Sequence, residues 1–286
     1  MTGQQRFMRG WMGLVLVGTF CWAASAQEAT FPRELHPWGR FPVGSWKRVR
    51  TISQSLDERG QVLSESITDT RTTLTAVGPE SYTLQTEVTV EVASRWITGL
   101  PQVTRHGFYG ETPPQAVNVR RLPDAPLTID GRTVNCQVRQ VVLAGEGGKL
   151  IHTLHLADQV PPFVLRREST LENGQSEEKR RTALIEVVAL DLPFRIGGEL
   201  KSASLIKTTQ FLPRGSKTTF EIHCVDVPGG VAAHWATETN GAGRVIRRST
   251  LELLDFGIPS GEEEEFSSGT FRRHRSGKTM RRGDGR

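Results

Sequence analysis

Three groups of residues in this sequence have side chains suited to chemistry: neighbouring histidines and cysteines, paired arginines, and one glycine-rich loop. His152 and His155 lie three apart in a run that alternates like a strand, and His223 and Cys224 are adjacent in another. Side chains at odd separations on a strand point to opposite faces, so neither pair can share a metal ion. A cross-strand set drawn from His155, His223, His234 and Cys136 contains no two ligands at local metal-binding spacing, so no metal is expected. Gly145-Glu-Gly-Gly-Lys149 lacks the spacing of a phosphate-binding loop and has no following helix whose N-terminus could face a phosphate. It reads as a hairpin loop. No Gly-x-Ser-x-Gly elbow and no His-Glu-x-x-His motif occurs, so the sequence predicts no catalytic residues, no cofactor and no enzyme.

Two further sets leave two readings open. The pairs Arg166-Arg167, Arg180-Arg181 and Arg247-Arg248 form either an anion-facing or polysaccharide-facing stripe, or a solvated outer face with cross-strand Arg–Glu pairs. Cys136 and Cys224 are the two cysteines outside the leading segment. They form either a disulfide, in an oxidising compartment, or two small buried apolar groups.

The elements that must carry these residues are strands. In Glu80 to Val92, Tyr82, Leu84, Thr86, Val88, Val90 and Val92 fall on one side, and Thr83, Gln85, Glu87, Thr89 and Glu91 on the other. That period of two predicts a strand with one dry and one wet face. Similar runs lie near 45–54, 61–75, 132–143, 149–157, 163–172, 179–190, 199–211, 217–226, 231–239 and 244–255, rich in Thr, Val, Ile and Leu. Short turn signals such as Asp130-Gly131, Asn173-Gly174 and Asn240-Gly241 join them, which predicts antiparallel hairpins. Within this pattern, Val160-Pro161, Asn173-Gly174 and Arg180-Arg181 match Val227-Pro228, Asn240-Gly241 and Arg247-Arg248 without a gap. Residues 149–190 and 217–255 therefore read as two copies of one meander. The stretch 94–128 carries Pro101, Pro113, Pro114, Pro123 and Pro126, which predicts a long loop or covering segment with aromatics that cap an open core.

The ends differ from the body. Residues 1–26 begin with Arg6 and Arg9, continue through an apolar run from Trp11 to Trp22 and finish at Ala24-Ser25-Ala26. This is the three-part pattern of a secretory signal peptide, with cleavage expected between Ala26 and Gln27. No membrane-spanning segment is expected in the mature chain. The residues 257–286 hold Glu262 to Glu265 and then a basic cluster, without apolar periodicity, and are expected to be disordered. Of the formal +5, Arg6 and Arg9 contribute +2, and residues 257–286 another +2 (seven bases against five acids), which leaves +1 for 27–256. The body is nearly neutral, so the basic pI is no argument for a nucleic-acid partner.

Taken together, Thr128-Ile-Asp-Gly-Arg-Thr-Val-Asn-Cys136, Val160-Pro-Pro-Phe-Val-Leu-Arg-Arg-Glu168, Val227-Pro-Gly-Gly-Val231 and Arg247-Arg-Ser-Thr-Leu251 resemble an uncharacterised family of bacterial exported β-proteins. The pattern is similar to TapB-like periplasmic domains and, more loosely, to the lipoprotein-carrier half-barrels. The resemblance implies a curved antiparallel sheet and a cell-envelope location, and it brings no catalytic residues. The expected protein is all-β, a half-barrel or sandwich, with a region at 27–124, a second at 125–256 and the charged tail. Its expected role is an exported, periplasmic or extracellular, non-enzymatic binding or scaffold module. Its expected partners are an envelope protein, a polymer or an apolar ligand carried in the concavity of the sheet.

Overall fold

The computed structural model describes residues 31–92, 95–113, 115–145, 148–173 and 179–259. The alternating runs form β1 (Trp46–Leu56), β2 (Val62–Val77), β3 (Ser81–Val92), β7 (Arg132–Gly145), β8 (Gly148–Leu156), β9 (Val164–Asn173), β10 (Lys179–Ile196), β11 (Glu199–Leu212), β12 (Gly215–His223), β13 (Val231–Asn240) and β14 (Val245–Gly257). Three more strands, β4 (Arg95–Thr98), β5 (Gln102–Gly107) and β6 (Val117–Ile129), complete the set. All pair antiparallel in one fourteen-stranded sheet. From β6 to β14 each strand neighbours the next, and β1 then joins β14, with Trp46 opposite Gly257 and Ser55 opposite Arg247. Strands β2 and β3 follow, and β4 and β5 pair in succession with the far side of β3. The sheet curves and twists but is not closed, with β4–β5 at one edge and β6 at the other.

The stretch 94–128 is where the expectation fails. Instead of a covering loop it supplies both edges of the sheet. Pro123 and Pro126 are tolerated because β6 has a partner on one side only, and its register with β7 slips between Leu122 and Ala125. The boundary drawn at 124/125 falls inside this strand, and the β1–β14 pairing joins the two predicted regions in one sheet. Nor does β3 have a dry and a wet face. Its residues from Tyr82 to Glu91 are all half-buried, with Tyr82 and Leu84 packed on the Trp38 and Phe41 cluster. The two similar stretches each cover three consecutive strands, although Gly174 of the first hairpin lies outside the described residues. Their Val-Pro loops are closed by matching backbone bonds. The donors and acceptors run Ala157 to Phe163, Phe163 to Val160 and Val160 to Ala157 in one loop, and Cys224 to Gly230, Gly230 to Val227 and Val227 to Cys224 in the other.

The curvature is held by a segment that crosses the concave side. Residues 31–45, with a single helical turn at Arg33–Leu35, place Phe31, Trp38 and Phe41 in the core. Phe31 packs with Phe108 and Tyr109, which follow β5, and with Val141, Leu143, Leu154 and Leu156 of β7 and β8. Trp38 and Phe41 pack on Leu74 of β2. One cluster thus joins the β3–β5 end of the sheet to strands far along it. Phe108 and Tyr109 cap the core as expected of aromatics in that stretch, whereas Trp96 is half-exposed.

A glycine lets this segment seat. Gly229 has a φ of +73°, and a Cβ built there would lie 2.6 Å from Trp38 Nε1, while its N–H donates to Pro37 O. Both the left-handed backbone and the contact exclude a side chain. Gly229→Ala is expected to lower stability by about 2 kcal/mol, read from denaturant midpoints, whereas Gly60→Ala, with a φ of +77° and open space around it, should show only the backbone cost of about 1 kcal/mol.

Candidate functional site

The most accessible chemistry lies on the β4–β5 edge. The chain from Arg95 to Gly107 runs along the outer side of β3 as one edge strand broken at Gly99-Leu100-Pro101, where Gly99 N–H donates to Val88 O. Pro101 has no N–H and Gly99 no side chain, so the strand kinks there. Leu100 is 90% exposed, Val103 64% and Ile97 58%, with Trp96 and Val92 beside them. Trp96 and Val103 share the outer face with Arg105, and Ile97 shares the inner face with Arg95. Arg50 of β1 lies 5.5 Å from the Trp96 ring centroid. It also bonds the buried Asp69 through Nε at 2.8 Å and Nη2 at 3.1 Å. Asp69 takes a second arginine, Arg48, at 2.7 Å, and these bonds hold its carboxyl below the usual range against the opposing effect of burial. The tryptophan is thereby held against a fixed guanidinium.

The opposite edge is differently built. Strand β6 carries two prolines, a register slip, and an Arg121–Asp124 ion pair at 3.0 Å. These are the devices that blunt an edge. The β4–β5 edge has one proline at its kink and no acidic residue from 95 to 107.

Polar groups on the concave side form two knots. In the first, Arg167 of β9 donates from Nη2 to His152 Nε2 at 2.8 Å and to Tyr109 O at 3.4 Å. A guanidinium only donates, so Nε2 accepts and the His152 proton sits on Nδ1, 2.9 Å from Ser169 Oγ. Burial, then the Arg167 charge, pushes His152 down to about 3. Both ring nitrogens are committed, so this histidine is a fixed neutral strut. Glu111 Oε2 accepts from Tyr109 N–H at 3.0 Å and folds the Gly107–Glu111 turn onto Arg167. In the second knot, Lys47 of β1 donates from Nζ to Val231 O at 3.4 Å and lies over the Trp38 ring. Burial lowers it to about 8, against the pull of Glu221, whose own carboxyl burial raises. His223 beside it is held neutral, at about 4, by burial and by Lys47. Within the 31–45 segment, His36 Nδ1 accepts the N–H of Trp38 at 3.2 Å and of Gly39 at 3.1 Å, and burial puts it at about 4.

The residues singled out from sequence do not assemble into one site. Arg166 and Arg167 face opposite sides of β9. Arg166 lies outside, 3.8 Å from Glu168 and 3.9 Å from Glu186, and Arg181 joins it with Nη2 at 2.6 Å from Glu168. Arg180, Arg247 and Arg248 are exposed, with Arg247 opposite Glu238 and Arg248 opposite Thr237. The six arginines therefore divide between the two faces instead of forming a stripe. Cys136 and Cys224 are free thiols buried in different clusters, Cys136 with Leu165 and Val187, Cys224 with Ile222 and Val227. No bridge joins them. His152 points inward and His155 pairs across with Val138 and Arg166 on the other face. Ala26 and Gln27 lie outside the described residues, as do 1–30 and 260–286. Among the described residues no helix is long and apolar enough to cross a membrane.

Three features escaped the reading of the sequence: the inward turn of Arg167, the Lys47–Glu221 knot and the bare edge. For the first, the period of two already separates Arg166 from Arg167. For the edge, the signal was Trp96, Ile97, Leu100 and Val103 within eight residues free of acids. Comparison with family models, curated proteins and solved structures finds no match to the chain.

Proposed function

We propose that this chain is an exported, non-enzymatic binding module of the cell envelope that meets a protein partner along its β4–β5 edge. The observation that carries the reading is the edge itself. Strand backbone with no outer partner among the described residues, beside exposed Ile97, Leu100 and Val103, is a template for another strand, which protein surfaces ordinarily cover or blunt. Export rests on the leader pattern of residues 1–26. Carriage of an apolar ligand is less well supported, because Phe31, Trp38, Phe41, Phe108 and Tyr109 fill the concave side where such a ligand would lie. The non-enzymatic reading draws on His152 and His36, whose hydrogen bonds commit the nitrogens that a general base would need.

The test is site-specific photo-cross-linking in an exporting bacterium. A benzophenone side chain at Leu100 is expected to give one discrete adduct in the envelope fraction, on a chain whose mature mass begins at Gln27. The same group at exposed Arg180, in the middle of the sheet, is expected to give none. An uncleaved cytoplasmic chain, or equal adducts at both positions, overturns the reading.

A further inference from the structure

We infer that the β4–β5 edge takes an extended, acidic segment of a partner protein as an added strand. This rests on the binding-module reading and names the chemistry of the partner at that same edge. Strand addition supplies affinity through main-chain hydrogen bonds and specificity through the side chains that alternate along the guest. Along this edge the immediate neighbours of a guest are apolar Trp96, Ile97 and Val103 and basic Arg95 and Arg105. Arg105 donates from Nε to Ser81 Oγ at 3.0 Å, a neutral partner, and neither arginine has an ion pair among the described residues. Neither guanidinium is ion-paired where a guest would lie, and Glu111, whose carboxylate packs on Gly107 beyond Arg105, is buried and bonded to Tyr109 N–H. Glu87 and Glu91 belong to β3, one strand further in. They would stand about 10 Å from a guest side chain, near the Debye length in physiological salt, whereas Arg95 and Arg105 would stand about 5 Å away. The nearer charges dominate, so an apolar guest with acidic residues opposite Arg105 on the outer face or Arg95 on the inner face fits, and one with basic residues there is repelled. The opposite edge does not compete, because Pro123 and Pro126 interrupt it.

The probes are three capped, fluorescent decapeptides: alternating Val and Glu, alternating Val and Lys, and the Val/Glu peptide with alternate amides N-methylated. Each is titrated into the full chain, purified after export, and followed by anisotropy. The Val/Glu peptide is expected to bind at least about tenfold tighter than either of the others, and more weakly as salt rises. Ile97→Asp with Val103→Asp should weaken it about tenfold. Should that variant unfold, Arg95→Gln with Arg105→Gln tests the charge alone, with circular dichroism and denaturant midpoints as controls. Equal binding of the Val/Glu and Val/Lys peptides, or indifference to both double variants, overturns the inference. Tighter peptide binding after truncation at Pro259 assigns the edge to this chain's own 260–286, and a dimer abolished by the aspartate variant assigns it to a second copy; either overturns it too. If the peptides fail while the Leu100 adduct persists, the acidic-strand chemistry falls and the binding module stands. Loss of the adduct removes both.

Discussion

Taking the protein from pH 7 to pH 5 is expected to remove about 5 kcal/mol of its folding stability, a large part of what a domain usually has. The cause is three histidines held neutral. Burial keeps His36 and His223 at about 4 and His152 at about 3, against an ordinary 6.5 in the unfolded chain. Above pH 6.5 both states are neutral at these sites and nothing is lost. Between 6.5 and 4 the unfolded chain takes up protons that the folded chain refuses, so stability falls as pH falls, with a difference of two to three protons, or roughly 3–4 kcal/mol per pH unit, near pH 5. Among the other shifted groups, one offsets part of this. Lys47, lowered to about 8, is charged in both states over that range, and Asp69, held low by Arg50 and Arg48, adds acid lability only below its ordinary 3.8. Glu221, raised by burial, acts in the opposite sense, since the folded state accepts its proton first. Urea midpoints at pH 7, 6 and 5, followed by tryptophan fluorescence, measure the slope, and His152→Gln should reduce it by about one proton. A midpoint unmoved between pH 7 and 5 would sink the account.

The second large effect distinguishes two adjacent arginines. Arg167→Ala is expected to cost about 3 kcal/mol, because it strips the buried Nε2 of His152 and the carbonyl of Tyr109 of a donor and leaves a void between them. Arg166→Ala should stay within about 0.5 kcal/mol, since its carboxylate neighbours are 3.8 Å and 3.9 Å away on a solvated face. The first change should also raise amide exchange in the Gly107–Glu111 turn, which the guanidinium ties to β9. Guanidinium unfolding curves of the two variants, run side by side, decide the matter, and equal losses would overturn the distinction between them.

Reading strands from the sequence worked wherever the determinants were local. The period of two and short turn signals such as Asp130-Gly131 and Asn240-Gly241 located eleven of the strands, and the curved antiparallel class followed. Strands β4, β5 and β6 lie in a proline-bearing stretch that excludes a central strand but not an edge strand, which needs only half its backbone groups paired. The aromatic segment 31–41 was invisible for a different reason. Its role depends on Gly229 and Leu74, some 190 and 35 residues away, and no periodicity encodes such a meeting. Of the site, the arginine pairs stand out in the sequence, and cross-strand pairing of Arg166 and Arg181 with Glu168 matches the solvated-face reading, whereas the inward turn of Arg167 onto His152 does not. The edge could have been read from composition, yet only pairing partners reveal that no described strand lies beyond it.

The β1–β14 junction has a consequence for how the chain comes together in time. Every other strand pair links neighbours, or near neighbours, in sequence, so hairpins can zip locally as residues emerge from synthesis. Joining Trp46 to Gly257 instead closes a loop of 211 residues (257 − 46). Strands β1 to β3 must therefore wait, with one flank unpaired, until the last strand exists. Completion of the sheet is a late, whole-chain event, set by the arrival of β14 and not by the hairpins that precede it.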